Sequence, residues 1–196
     1  MASPSMADGG VPKEYLTVRC PITNLTDEEK AVLKSSWKRV VGSSQEEFAV
    51  KGVEFGRTFL HWMFANIPDM KKQFEHLFDA TKSPDVLNAD VQFQKHVNKI
   101  ITWIDSMMED LDHPSKLQLE IFYLSQAHIN RKNPIGIKFF GPLQKKFPSF
   151  IAGALGLPED HQEVKMWILF IDLLVNKVRT TETWAKDDKK GCCNLL

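Results

Sequence analysis

Cysteine is scarce in this sequence: there are three in 196 residues, two of them adjacent near the end. That count makes no disulfide framework and predicts a reducing compartment. A charge of one sign is missing too. Lys and Arg total 25 and so do Asp and Glu, so no global field favours nucleic acid as a partner. Apolar runs are short: Trp167 to Val175 is interrupted by Asp172 and falls well below the ~20 residues of a spanning helix. Met1 to Gly10 is small and polar with no apolar centre, which predicts no secretory signal. No stretch alternates with a period of two for long, and no repeat is visible, so strands are not expected. Cys-x-x-Cys and His-Glu-x-x-His are absent, no glycine-rich phosphate loop follows a strand, and no Ser/His/Asp triad stands out.

What remains is helical periodicity. Residues 1–24 read as a disordered tail, rich in Ala, Ser and Gly at first and then broken by Pro12 and Pro21. Order is predicted to begin at Thr26-Asp27-Glu28-Glu29, a capping box that opens a helix carrying Leu33, Trp37 and Val40. A second helix spans about 46–66, with Gly56 inside it. A mid-helix glycine costs about 1 kcal/mol against alanine, so it marks a close crossing of another helix. Pro68 ends that helix and opens a short one toward Phe74; residues 75–88 form a connection with room for one helical turn. The next helix, about 90–110, aligns Phe93, Val97, Ile100, Ile104 and Met107, and His96 lies within the stripe. Leu117, Ile121, Leu124 and His128 then follow at steps of four, three and four. Pro142 and Pro148 predict that the helix in 135–156 begins late, kinks or breaks. A last helix buries Val164, Trp167, Ile168, Ile171, Leu174 and Val178, and residues 181–196 are expected to leave the core as a flexible tail. The expected domain therefore covers 25–180, in an all-α fold.

Of six histidines, His61, His76, His113 and His161 fall on polar faces or in loops, where a solvated side chain is expected. His96 and His128 each occupy an apolar position on a helix. Burying an imidazole without a partner is costly, so something must receive their nitrogens. Either residue alone fits a satisfied core histidine. The pair, 32 residues apart across a helix break, also fits ligation from opposite sides of one planar cofactor.

From about Leu25 to Arg179 the sequence resembles the globin family. Trp37 is similar to the tryptophan of the first globin helix; Gly56 and Leu60 resemble a tight crossing and a leucine over the distal pocket. Pro68 and Phe74 match the phenylalanine that packs on the haem face. Lys95-His96 with Ile100 looks like the distal histidine and its neighbour, and Leu124-Ser125-Gln126-Ala127-His128 like the run ending in the proximal ligand. The resemblance implies seven to eight helices in a three-over-three sandwich around haem b, with iron held by His128 on the proximal side and His96 on the distal side. It implies that Phe74, Leu60, Ile100 and Leu124 line the pocket. His76, Arg131 and Lys132 stand where propionates are met or, equally, as solvated loop charges.

Two departures from the commonest pattern bear on function. Val97 follows His96 where many globins carry glycine, so a looser or shifted crossing against Gly56 is expected. The 32-residue gap is similar to that of neuroglobin-like and globin-X-like proteins, which favours both histidines on the iron. These features imply a redox or signalling globin taking O2 or NO and served by a reductant or redox partner. An oxygen-storage or transport globin with an open sixth site is the alternative, and a haem-free helical membrane adaptor a third. No dedicated catalytic motif is present; nitrite or nitric oxide chemistry would be a side activity. The ending Cys193-Asn194-Leu195-Leu196 reads as a C-a-a-X prenylation box with Cys192 beside it for palmitoylation, which predicts a lipid anchor on the cytoplasmic side of a membrane, or a cytoplasmic protein if unmodified.

Overall fold

Thr26 and Glu29 close the first helix as their spacing predicts. The Glu29 N–H donates to Thr26 Oγ1 at 3.2 Å, and the Thr26 N–H to the Glu29 carboxylate at 2.9 Å. The structure, a computed structural model, describes residues 18–193, with side chains as far as Asp187. The described residues form seven α-helices and two short 3-10 helices: α1 (Asp27–Val41), α2 (Gln45–Asn66), a 3-10 turn (Pro68–Gln73), α3 (Pro84–Ala89), α4 (Val91–Glu109), a second 3-10 turn (Asp110–Asp112), α5 (Pro114–Ile129), α6 (Ile137–Leu155) and α7 (Gln162–Cys193). No described residue lies in a strand, and no described helix is long and apolar enough to cross a membrane.

Local chemistry sets the starts. Ser44 Oγ accepts from Glu47 N at the head of α2, and Asp90 Oδ1 accepts from the amides of Gln92 and Phe93 at the head of α4. Prolines 68, 84 and 114 each sit in the first turn of a helix, where a missing N–H costs nothing.

The core is built around two tryptophans. Trp37 of α1 and Trp167 of α7 are almost fully buried with ring centroids 6.0 Å apart. Trp37 is met edge-on by Phe55 at 5.3 Å. Both indole N–H groups are satisfied: Trp167 donates to Ser36 Oγ and Trp37 to Asp105, each at 2.8 Å. This core fixes α2 across α4 and α5 against α7, and so places the two helices that carry His96 and His128.

Four expectations need correction. Residues 18–24, expected as part of a disordered tail, are laid on the domain: Arg19 pairs with Glu29 at 2.7 Å, Thr23 is buried, and Cys20 N donates to Leu25 O. Residues 1–17 lie outside the described part. α6 runs from Ile137 unbroken through Pro142 and Pro148, so of the outcomes the prolines predict, a break is excluded. Its buried face of Phe139, Phe140, Leu143, Phe147, Phe150 and Ile151 outweighs the backbone bonds that the prolines delete. The boundary expected at residue 180 falls inside α7, which keeps Thr181 fully buried and continues to Cys193. Finally, the crossing of α2 on α4 is tight. A Cβ at Gly56 would stand 2.8 Å from Val97 Cγ1 and 2.8 Å from Ile101 Cγ2. The valine is accommodated because Gly56 alone leaves the room, so the crossing needs no second glycine.

Candidate functional site

His96 emerges from α4 between the buried Phe93 and Val97, and its ring is half-buried. Phe74, delivered by the 3-10 turn that Pro68 opens, meets it edge-on, with centroids 4.9 Å apart at 89°. Phe74 in turn contacts Phe64 at 5.1 Å and Phe78 at 5.3 Å, and Phe78 contacts Phe93. An aromatic wall therefore backs this side of the site. Neither nitrogen of His96 has a hydrogen-bond partner among the described residues. Burial pushes its pKa down to about 4, and the neighbouring His128, Lys99, Arg131 and His76 push the same way.

His128 lies in the last turn of α5. Its Nδ1 is 2.8 Å from the Leu124 carbonyl, which can only accept, so Nδ1 carries the proton and Nε2 the lone pair. The ring is edge-on to Phe140 at 5.5 Å. Burial lowers the His128 pKa, against the Leu124 bond that raises it; Arg131 lowers it further. Both rings are thus neutral at neutral pH, and both lie in the region that the Arg131 charge reaches. Arg131 donates to His76 Nε2 at 2.6 Å at the rim of that region.

The other predicted residues are placed as follows. Leu60 is fully buried on α2; Ile100 and Leu124, one turn from His96 and His128, are partly buried against the core. Lys132 is exposed and pairs with none of the site residues. Cys192 and Cys193 end α7 as backbone, and their side chains, with residues 194–196, lie outside the described part, so the lipidation expectation does too. A groove of about 350 Å³ lined by Ile129, Asn130, Arg131, Pro134, Glu182 and Lys186 flanks the site, but neither histidine lines it.

His61 corrects the expectation of solvated histidines: its ring stacks on Phe93 at 5.2 Å and its Nε2–H donates to Asn88 Oδ1 at 2.9 Å. Phe140 was not anticipated, because nothing in the local sequence ties it to a histidine twelve positions earlier. Among the described residues, no three His, Cys, Asp or Glu side chains gather as a metal cage. The site offers two neutral, half-buried imidazoles, each edge-on to a phenylalanine, which fits an iron porphyrin whose own nitrogens would complete the ligand set.

An all-helical fold with two half-buried, neutral imidazoles, each edge-on to a phenylalanine, fits the class of haem proteins. The comparisons make it specific. The Globin family model matches residues 57–178. A "Globin" of Biomphalaria glabrata is 37% identical over 144 residues, covering 74% of this chain and 90% of that protein. Cytoglobin-2 of Danio rerio is 28% identical over 104 residues, 53% of each chain. In fold, the chain is similar to a double mutant of Aplysia limacina myoglobin, with a TM-score of 0.60 and 19% identity over 78% of this chain and 94% of that one. The chain belongs to the globin family, and its cofactor is haem b.

Proposed function

We propose that this globin holds haem iron through His128 Nε2 on one side and His96 on the other, and serves a redox or signalling role at a membrane surface. The observation that carries the reading is the His96 ring: neutral, half-buried against Phe74 and without a protein hydrogen-bond partner, it keeps a lone pair for a metal. Leu124 fixes the His128 ring and its tautomer, which makes that imidazole the stronger ligand. Phe74, Leu60 and Ile100 keep the distal side apolar, and Arg131 with His76 holds the rim where the propionate carboxylates are met. Bound haem supplies a redox-active iron with affinity for O2 and NO. Were both histidines to hold the iron, His96 would have to give way to a diatomic ligand, and apparent affinity would fall by the fraction of sites open. Such a site suits electron exchange with a reductant, or sensing, better than storage.

The membrane address rests on the C-a-a-X ending with Cys192 beside Cys193, a pairing of two lipid signals. α7 extends roughly 18 Å past Thr181, at 1.5 Å per residue, before it reaches Cys193. The lysines near its end would favour the anionic cytoplasmic leaflet.

The test is the visible spectrum of the reduced, ligand-free holoprotein. Sharp, split low-spin bands are expected. A broad high-spin spectrum would replace this reading with an oxygen-storage or transport globin, and the absence of a haem band with a helical adaptor.

A further inference from the structure

α6 begins beside the proximal side of the site with no side chain of its own to cap it. The N–H of Ile137 donates instead to Glu182 Oε2 of α7, at 2.8 Å. Gly136, the preceding residue, is buried, and a Cβ there would stand 2.4 Å from the same oxygen. The carboxylate therefore occupies the space a side chain would take. The Ile137 bond, ahead of the 2.8 Å ion pair with Lys186, holds the Glu182 carboxyl below its ordinary pKa. Two residues upstream of Ile137, Ile135 N donates to the backbone carbonyl of His128 at 2.9 Å. Two backbone segments in sequence, Ile135 on His128 and Ile137 on Glu182, thus tie the histidine to α7. The other flank is tied as well: the Lys177 ammonium lies 5.3 Å from the Phe122 ring of α5 and 5.4 Å from the Trp184 ring of α7. α7 therefore contacts α5 six residues before His128 and, through Gly136 and Ile137, the segment that follows it.

We infer that Glu182 is a positioning residue for the proximal histidine. It rests on the reading of His128 as the iron ligand. A carboxylate at a helix start satisfies an orphan N–H and complements the helix dipole. Without it the first turn of α6 frays, the Ile135 bond to His128 loosens, and the imidazole is held less firmly by the Leu124 carbonyl and Phe140.

The test uses holoprotein carrying Glu182→Ala, Glu182→Gln or Lys186→Ala, with two readouts: haem transfer to excess apomyoglobin, and the iron–histidine stretching band after photolysis of the carbon monoxide complex. Glu182→Ala is expected to lose haem about tenfold faster, the value of one helix cap, and to shift the band. Glu182→Gln keeps an acceptor oxygen without its charge and should fall between Glu182→Ala and the parent. Lys186→Ala, which spares the Ile137 bond, should match the parent in both readouts. An unchanged band and transfer rate in Glu182→Ala, with faster hydrogen exchange at the Ile137 amide, would overturn the inference and leave a purely structural cap. Should Glu182→Ala not fold, an unaltered band in Glu182→Gln would overturn it equally. Retention of haem with an unshifted band in His128→Ala would instead remove the ligand assignment beneath it.

Discussion

The His128 Nδ1–H points at the Leu124 carbonyl one turn earlier, 2.8 Å away, and this bond sets which nitrogen is left for a metal. A variant that removes the side chain at 124 leaves the bond, because the acceptor is backbone. Leu124→Ala is therefore expected to hold haem, losing it a few-fold faster from the lost apolar wall. Haem transfer rates check this, and complete loss of haem would show that the side chain, not the carbonyl, positions the ring.

Acid stability should report the burial of His96. Its pKa is about 4 in the folded protein against 6.5 for an ordinary histidine, so between these values the unfolded chain binds a proton that the folded ring does not. Apoprotein stability attributable to this group is present above about pH 6.5 and is lost as pH falls toward about 4. Urea midpoints from pH 7 to pH 4.5 should decline less in His96→Leu than in the parent. Identical declines would remove His96 as a source.

At the α2–α4 crossing, alanine in place of Gly56 gains about 1 kcal/mol of helix propensity but drives Cβ into two stiff, buried side chains, at about 1–3 kcal/mol. A net loss of stability is expected for Gly56→Ala. Adding Val97→Ala should recover part of it, because the two changes couple through one contact. Thermal denaturation of the three variants measures the coupling, and strict additivity would contradict the tight crossing.

Ser36 is fully buried, donates to Leu33 O and accepts the Trp167 indole N–H. Ser36→Ala strands that N–H and is expected to cost about 1–3 kcal/mol by denaturant unfolding. A neutral result would mean the indole finds another acceptor.

Cys193→Ser should move the protein from membrane to cytosolic fractions in a eukaryotic host. An unaltered distribution would count against prenylation.

Much of the site was legible because its signals are local and periodic. Leu117, Ile121, Leu124 and His128 share one face at steps of three and four, and Thr26 and Glu29 meet across a single turn. What escaped depends on distant partners or on competition between effects. His61 reads as solvated until Asn88, 27 positions away, supplies an acceptor and Phe93 a stacking face. Glu182 reads as a tail charge until folding brings it to Ile137, 45 positions earlier. The prolines of α6 obey a sound local rule, but packing of one apolar face overrides it. A family pattern says little about Val97, because the space it needs is set by its partner Gly56.

The central claim is that His128 is the residue through which this globin holds iron, and haem reconstitution of His128→Ala beside the parent protein tests it most directly. The parent is expected to take up one haem and keep it through gel filtration, while the variant folds as apoprotein and loses its haem band. A variant that retains haem with the parent's spectrum would contradict the assignment.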